Sequence, residues 1–262
     1  LSAQPSRKKM QTTYEGDNSL KEEYMYINND PEQIDGVYKR YYPMTTAPEV
    51  MAVYEEGKRH GKYKEFYENG TTRIECEYVD GKIHGPYMKY GKGGRKEVIC
   101  VYDNGSIEGV MERFYPEGTL AAMVNFKDGK REGLLTQYYP SGKTMITFEY
   151  ENDKRNGETK AYDETGALLQ LGHYVNDEID GKMELYYPDG TLKNESFFQG
   201  GKLEGACRKF YEDGQVKEVF EYKDVKENGE GITYYPNGNM HTKATYLNGK
   251  PLGDYTVHHD NG

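Results

Sequence analysis

Apolar and polar residues alternate along short stretches of this chain, and turn residues separate the stretches. In one stretch every second position is apolar, at Leu120, Ala122, Val124 and Phe126. This spacing is that of one face of a β-strand. No stretch keeps a 3.6-residue period, so the sequence predicts strands with one buried face and essentially no helix.

Two kinds of turn separate the predicted strands. The first is represented by Pro116-Glu117-Gly118, where Pro presets the first turn residue and Gly takes the left-handed position. It predicts a three-residue hairpin loop with a bulge. The second is a dipeptide such as Asp80-Gly81, which favours a tight reversal. Because both turns are short, consecutive strands must be antiparallel neighbours.

These signals recur every 24 residues, which is typical of a repeat array. One glycine column consists of Gly61, Gly85, Gly109, Gly133, Gly157, Gly181, Gly205, Gly229 and Gly253. A second runs at the same interval from Gly70 to Gly262, and an aromatic column runs from Tyr54 to Tyr246. We therefore predict an all-β fold, an elongated single-layer antiparallel β-meander of tandem 24-residue β-hairpin repeats over residues 20–262.

Residues 1–19 lack the repeat, and we expect a flexible N-terminal lead-in there. Leu1-Ser2-Ala3-Gln4 is similar to the end of a bacterial secretory signal peptide, with cleavage after a small residue. On this basis we expect an exported protein, periplasmic, secreted or at the cell surface. The alternative is an arbitrary chain boundary and a cytoplasmic protein.

The unit G-x-Y-x-x-Y-Y-P-x-G-x-L…Y-x-x-G-K-x-x-G resembles the variant MORN repeat of bacterial proteins, over roughly residues 20–262. Some of these proteins are described as YwqK-type antitoxins. The resemblance implies single-layer β-hairpin repeats and a scaffolding or partner-binding role. It does not imply an activity. It also implies one alternative function, the neutralisation of a toxin partner.

Composition narrows the range of partners. The chain carries 34 Lys and Arg against 44 Asp and Glu, a net charge of −10. This balance repels nucleic acid and anionic lipid surfaces. No apolar run reaches the length of a membrane span. The 27 tyrosines suit a thin sheet, because Tyr buries a large ring while its hydroxyl stays in water.

The three cysteines are predicted to be buried free thiols. Cys76 and Cys100 occupy the same position of adjacent repeats. Equivalent positions of adjacent hairpins lie about 9.5 Å apart, which is beyond the reach of a disulfide. Cys207 falls in a column that also holds Tyr63, Tyr87, Met111, Leu135 and Met183.

No combination of residues predicts catalysis or a cofactor. His60 and His84 are repeat equivalents, and His258 and His259 should point to opposite faces of a strand, so neither pair predicts a metal site. The acidic turns lack the spacing of a calcium loop. Turns and columns account for the glycines, so we expect no phosphate cradle. We therefore expect no enzymatic activity, no cofactor and no metal.

Two adjacent aromatic columns suggest a binding face. Phe66 begins a column that keeps its ring through eight repeats, whereas the Tyr67 column is interrupted by Gly91 and Asp163. Because packed positions tolerate such changes poorly, we expect the Phe66 column to pack and the Tyr67 column to lie on the open face. The predicted contact residues for a protein or peptide partner are Tyr115, Tyr139, Tyr187, Tyr211 and Tyr235. A carbohydrate or cell-envelope ligand is a second hypothesis. The alternative to any binding role is that these rings only shield the backbone.

Overall fold

The computed structural model describes residues 6–253 and 255–261. In this part of the chain β-strands are the only long regular elements, and every strand pairing is antiparallel. It contains no helix that is long and apolar enough to cross a membrane. The chain forms two units, Leu1–Lys130 and Arg131–Gly262. The prediction of an all-β antiparallel meander is confirmed.

In the first unit each strand pairs with its neighbours in the sequence. Its strands are β1 (Lys8–Thr13), β2 (Leu20–Tyr26), β3 (Gly36–Tyr41), β4 (Pro48–Glu55), β5 (Lys58–Phe66), β6 (Thr72–Val79), β7 (Lys82–Ile83), β8 (Gly85–Tyr90), β9 (Lys96–Asp103), β10 (Ser106–Phe114) and β11 (Leu120–Lys127). The two-residue β7 and the longer β8 both pair with β6.

The second unit repeats this organisation, and β12 begins at the last residue of the first unit. The strands are β12 (Lys130–Tyr138), β13 (Thr144–Glu151), β14 (Lys154–Tyr162), β15 (Leu168–Val175), β16 (Glu178–Ile179), β17 (Gly181–Tyr186), β18 (Leu192–Gln199), β19 (Lys202–Leu203), β20 (Gly205–Phe210), β21 (Val216–Lys223), β22 (Lys226–Tyr234), β23 (Met240–Leu247), β24 (Lys250–Pro251) and β25 (Thr256–Val257).

The N-terminal segment differs from the expected flexible lead-in. Residues Lys8–Thr13 form β1, which pairs with β2 from Lys8↔Tyr26 to Thr13↔Leu20. An edge strand is stabilised by such backbone pairing even without the repeat motif. The predicted lead-in is therefore wrong for these residues. The expected signal-peptide remnant, Leu1–Gln4, lies outside the described residues.

Both predicted turn types are present. In the Pro-Gly turns the glycine is left-handed, as at Gly190 with φ +90°. The following strand pairing shifts by one residue, with Tyr186 opposite Leu192. The dipeptide turns place two consecutive residues at positive φ, +49° at Asp80 and +81° at Gly81, as a type I′ reversal requires.

Cross-strand pairs at the strand centres form the buried interior of each unit. In the first unit Tyr63 lies opposite Cys76, and both belong to a buried cluster with Val50 and Ala52. In the second unit the corresponding pairs include Thr159↔Gly172, Met183↔Ser196 and Gly231↔Ala244. Several of these pairs combine a larger with a smaller side chain, which keeps a thin layer filled.

Two polar residues that break the apolar alternation are satisfied by neighbours. The Asn194 amide oxygen accepts a hydrogen bond from Ser196 Oγ at 2.7 Å, and the Glu218 carboxylate pairs with Lys209. The three cysteines are buried and unpaired, as predicted from the repeat spacing.

Candidate functional site

The Tyr67 column begins where each first strand meets its Pro-Gly turn. Tyr187 shows the local geometry. Its N–H donates to the Thr191 carbonyl at 2.8 Å, and its carbonyl accepts from the Gly190 N–H at 2.9 Å. The turn therefore fixes the backbone of the tyrosine, and the ring projects from the same place in each such repeat.

The hydroxyls of this column bond to the backbone of the next repeat. Tyr187 Oη donates to the Phe210 carbonyl at 3.0 Å, and Tyr211 Oη donates to the Tyr234 carbonyl at 2.8 Å. The same bond, which we call the tyrosine bridge, is made by Tyr42, Tyr67, Tyr139 and Tyr235 at 2.7–2.9 Å. Each bridge links a turn to the strand end one repeat later, so the column has a structural role.

The tyrosines of this column lie on the face of the buried residues. Along β5, Tyr63 and Glu65 share that face, and the Tyr63 hydroxyl donates to the Glu65 carboxylate at 2.5 Å. Arg73 also bonds Glu65. Lys193 is the repeat equivalent of Arg73, five repeats later. Its Nζ lies 5.4 Å from the centroid of the Tyr187 ring. Tyr187 therefore projects on the same side as the buried positions. We call this side the tyrosine face.

This arrangement reverses the predicted faces of the two aromatic columns. The hydroxyl of Tyr186, in the Phe66 column, donates to Glu184 at 3.0 Å. Glu184 follows the buried Met183, so it lies on the opposite face. The Tyr67 column was expected on the open face and instead flanks the buried positions, because its hydroxyls reach backbone carbonyls there. The partner-binding role of Tyr115, Tyr139, Tyr187, Tyr211 and Tyr235 stays a prediction.

All five predicted contact tyrosines are half-buried, so part of each ring stays accessible. Lys217 lies over the Tyr211 ring at 5.6 Å, and the ring centroids of Tyr235 and His241 are 4.4 Å apart. For Tyr211 and Tyr235, the turn, the tyrosine bridge and this neighbouring side chain together fix the orientation of the ring.

The two interruptions of the column have different structures. Asp163 accepts hydrogen bonds within its own turn from the N–H groups of Thr165, Gly166 and Ala167 and from the Thr165 hydroxyl. These hydrogen bonds lower the pKa of Asp163, and the bond from the Thr165 hydroxyl has the largest effect. Gly91 has no side chain with which to replace the tyrosine.

The opposite face combines ion pairs with scattered apolar residues. Glu195 bonds both Lys182 and Arg208, at 2.6 and 2.8 Å. Its pKa is lowered, chiefly by the hydrogen bond from Lys182. Val101 and Phe197 project on this face with 47% and 37% of their surface exposed. Among the described residues no group of three His, Cys, Asp or Glu side chains is placed to hold a metal ion.

Two features were missed at the level of sequence. The tyrosine bridge is signalled only by a tyrosine that precedes each turn, because its acceptor is a backbone carbonyl that no residue type marks. The second feature is a cavity beside Gly91. The loss of the column's ring beside a basic run, Gly91-Lys92-Gly93-Gly94-Arg95-Lys96, could have indicated it.

Two solved structures show distant similarity to this chain. The structure titled TcdB2-TccC3-Cdc42 has 11% identity and a TM-score of 0.20, over 90% of this chain and 14% of that chain. The structure titled TcdB2-TccC3 has 10% identity and a TM-score of 0.19, over 97% and 19%. This chain thus spans less than a fifth of each of these two chains. None of the curated proteins matches it.

Antiparallel hairpins at a fixed interval, linked from turn to strand, define a β-hairpin repeat protein. The MORN repeat variant family matches more than half of the chain. The matched segments are residues 59–80, 107–128, 131–152, 155–176, 179–199, 203–224 and 227–248. The chain belongs to this family.

Proposed function

We propose that this chain is a non-enzymatic repeat scaffold that binds a protein or peptide along the tyrosine face. The observation that carries the proposal is the column of half-buried tyrosine rings held by tyrosine bridges. Tyrosine rings contribute much contact area and lose little conformational entropy on binding. A ring already fixed by its turn and its bridge loses even less, which favours affinity.

The proposal is non-enzymatic because the polar groups beside these rings have structural uses. The hydroxyls of Tyr187 and Tyr211 donate to backbone carbonyls, and the Asp189 carboxylate accepts the Thr191 N–H at 2.9 Å. Catalysis requires a nucleophile or an acid–base pair that converges on a substrate. A periodic surface of satisfied groups is better suited to recognition.

A carbohydrate is the second candidate ligand, because half-exposed aromatic rings also provide flat apolar surfaces on which sugars can stack. Antitoxin-like neutralisation of a protein toxin is a special case of the first proposal, and its support is the resemblance to YwqK-type proteins. Peptides and glycans can be presented to the same chain separately, so two binding assays distinguish the two ligand classes.

The proposal is tested by selecting peptides from a phage-displayed library on the immobilised full chain and measuring their dissociation constants. The double substitution Tyr187→Ser and Tyr211→Ser removes two rings, and we expect it to weaken binding by about tenfold or more. Probing the same chain on a glycan array tests the second ligand class.

Two matched variants serve as controls. One distinguishes loss of binding from loss of stability, and the other distinguishes the tyrosine face from the opposite face. Tyr187→Phe with Tyr211→Phe removes the same two bridges but keeps the rings, and should bind within about twofold of the wild type. Phe197→Ser removes an exposed ring from the opposite face and should leave binding unchanged. Loss of binding in Phe197→Ser alone, with full binding by the double serine variant, would place the partner on the opposite face and contradict the proposal.

A further inference from the structure

The first unit contains a cavity where the Tyr67 column loses its ring. Gly91 occupies the tyrosine position, and the space beside it forms a cavity of about 490 Å³ that opens to solvent. Its walls are the turn after β8, the beginning of β9 and the end of β10 with Phe114 and Pro116. The cavity has the volume of a small-molecule site.

The missing tyrosine also removes a bridge. By the repeat spacing, a tyrosine at position 91 would donate to the Phe114 carbonyl, as Tyr67 donates to the Tyr90 carbonyl. Arg95 makes a different link, since its Nη1 donates to the Pro116 carbonyl at 3.1 Å. This bond holds one guanidinium at the rim of the cavity.

The backbone does not require glycine at the two positions that keep this cavity open. The turn glycine Gly94 has φ +77°, whereas Gly91 and Gly93 do not have positive φ. A Cβ on Gly93 would meet no atom within 4 Å. In another repeat the side chain at the position of Gly93 accepts a hydrogen bond from the N–H group two residues later. There Asn69 Oδ1 accepts from the Thr71 N–H. Gly93 cannot, so the Arg95 N–H lacks this acceptor.

The side chains that line the cavity are strongly basic, although the whole chain is acidic. Five cationic side chains face a single carboxylate, that of Glu97. Lys89 pairs with Glu97 at 2.8 Å. Within the part of the chain that the structure describes, no carboxylate lies within ion-pair distance of the other cationic groups, which belong to Lys92, Arg95, Lys96 and Arg113.

We propose that this cavity is a binding site for a small soluble polyanion that carries a phosphate or diphosphate group. Two guanidinium groups provide the planar paired donors that suit phosphate oxygens, and the lysines add point charges. The sequence predicted no phosphate cradle, but the backbone does not require Gly91 and Gly93, and these glycines allow an anion to approach the N–H groups of the turn. Because the remainder of the chain is acidic, it repels extended polyanions and anionic surfaces, so a small ligand fits better. The cavity adjoins the tyrosine face, because Tyr115, one of the predicted contact tyrosines, also lines it. The proposed anion site does not depend on the partner-binding role.

The site is tested by isothermal titration of the full chain with inorganic pyrophosphate at low ionic strength. We expect saturable binding with one site per chain. Gly91→Tyr should weaken it by more than tenfold, because the ring fills the cavity. The new Cβ would lie 2.9 Å from Glu97 Oε1. The substitution is sterically feasible because this atom ends a flexible side chain that can move aside.

A second variant tests the charges without filling the cavity. Lys92→Gln with Lys96→Gln should weaken binding about tenfold, whereas the charge-matched control Lys223→Gln with Lys226→Gln, in the other unit, should not change it. Absence of saturable pyrophosphate binding, or equal weakening in the control, would overturn the proposal. So would binding to phosphatidylglycerol vesicles in place of pyrophosphate, because it would assign the cavity to a lipid surface.

Discussion

At the scale of single residues, two glycines in the second unit lie under larger side chains. Gly172 lies under Met183, and a Cβ on Gly231 would lie 2.5 Å from Phe220 Cε1 and 2.7 Å from Tyr246 Cε2. Neither glycine has positive φ, so space rather than backbone conformation restricts these positions. The flexible Met183 can move aside, whereas two aromatic rings cannot do so easily.

We therefore expect Gly231→Ala to lower the free energy of unfolding by about 1–3 kcal/mol and Gly172→Ala by less than about 1 kcal/mol. Urea denaturation of both variants measures the difference. Gly93→Ala, where a Cβ meets open space, is the control and should be nearly neutral. Equal losses at Gly172 and Gly231 would show that ring packing does not set the cost.

The buried thiols give a second prediction at this scale. Burial raises the pKa of Cys76 and Cys100 to about 11. Native protein at pH 8 should therefore react slowly with iodoacetamide, and urea should expose both thiols. Their contribution to stability is complete below the unfolded-state pKa and is lost as pH rises through the folded value. The free energy of unfolding should therefore fall between pH 9 and 11. A mass spectrum that shows a Cys76–Cys100 disulfide would contradict the structure.

At the scale of the turns, one residue conflicts with its conformation. Val225 occupies the second position of a dipeptide turn with φ +70°, a region that a β-branched residue adopts only under strain. Val225→Gly should therefore raise the free energy of unfolding by about 1 kcal/mol. The converse change at the equivalent position, Gly81→Val, should lower it, since Gly81 has φ +81° and its Cβ would meet no atom. Calorimetric melting of both variants measures the effect, and a loss of stability in Val225→Gly would contradict it.

The elements themselves could be predicted from the sequence, because each depends on local chemistry. Alternation places the strands, and Pro-Glu-Gly or Asp-Gly places the turns. The face of the Tyr67 column could not be derived in this way. Constancy of the ring at Phe66 and its loss at Gly91 and Asp163 suggested that Phe66 packs. The structure shows other reasons for the exceptions: Asp163 caps its own turn, and Gly91 leaves a cavity.

At the scale of the whole molecule, stability should be a sum over repeats and over contacts between neighbours. Tyrosine bridges supply one such contact, as at Tyr42, Tyr67, Tyr139, Tyr187, Tyr211 and Tyr235. Charge has a different distribution, since an acidic chain concentrates five cationic side chains around one cavity. At Gly91 the chain has a cavity and lacks a tyrosine bridge. Such a loss of stability is expected at a position where evolution has selected for binding.

The most direct test of this account is thermal unfolding of the Gly91→Tyr variant, followed by circular dichroism. Position 91 is placed to complete the column, so the new ring should fill the cavity and its hydroxyl should bond the Phe114 carbonyl. A hydrogen bond and a buried ring should together contribute about 1–2 kcal/mol. The account predicts a melting temperature about 2–6 °C above that of the wild type, while Tyr67→Phe, which removes an existing bridge, should lower it. An unchanged or lower melting temperature for Gly91→Tyr would contradict the account.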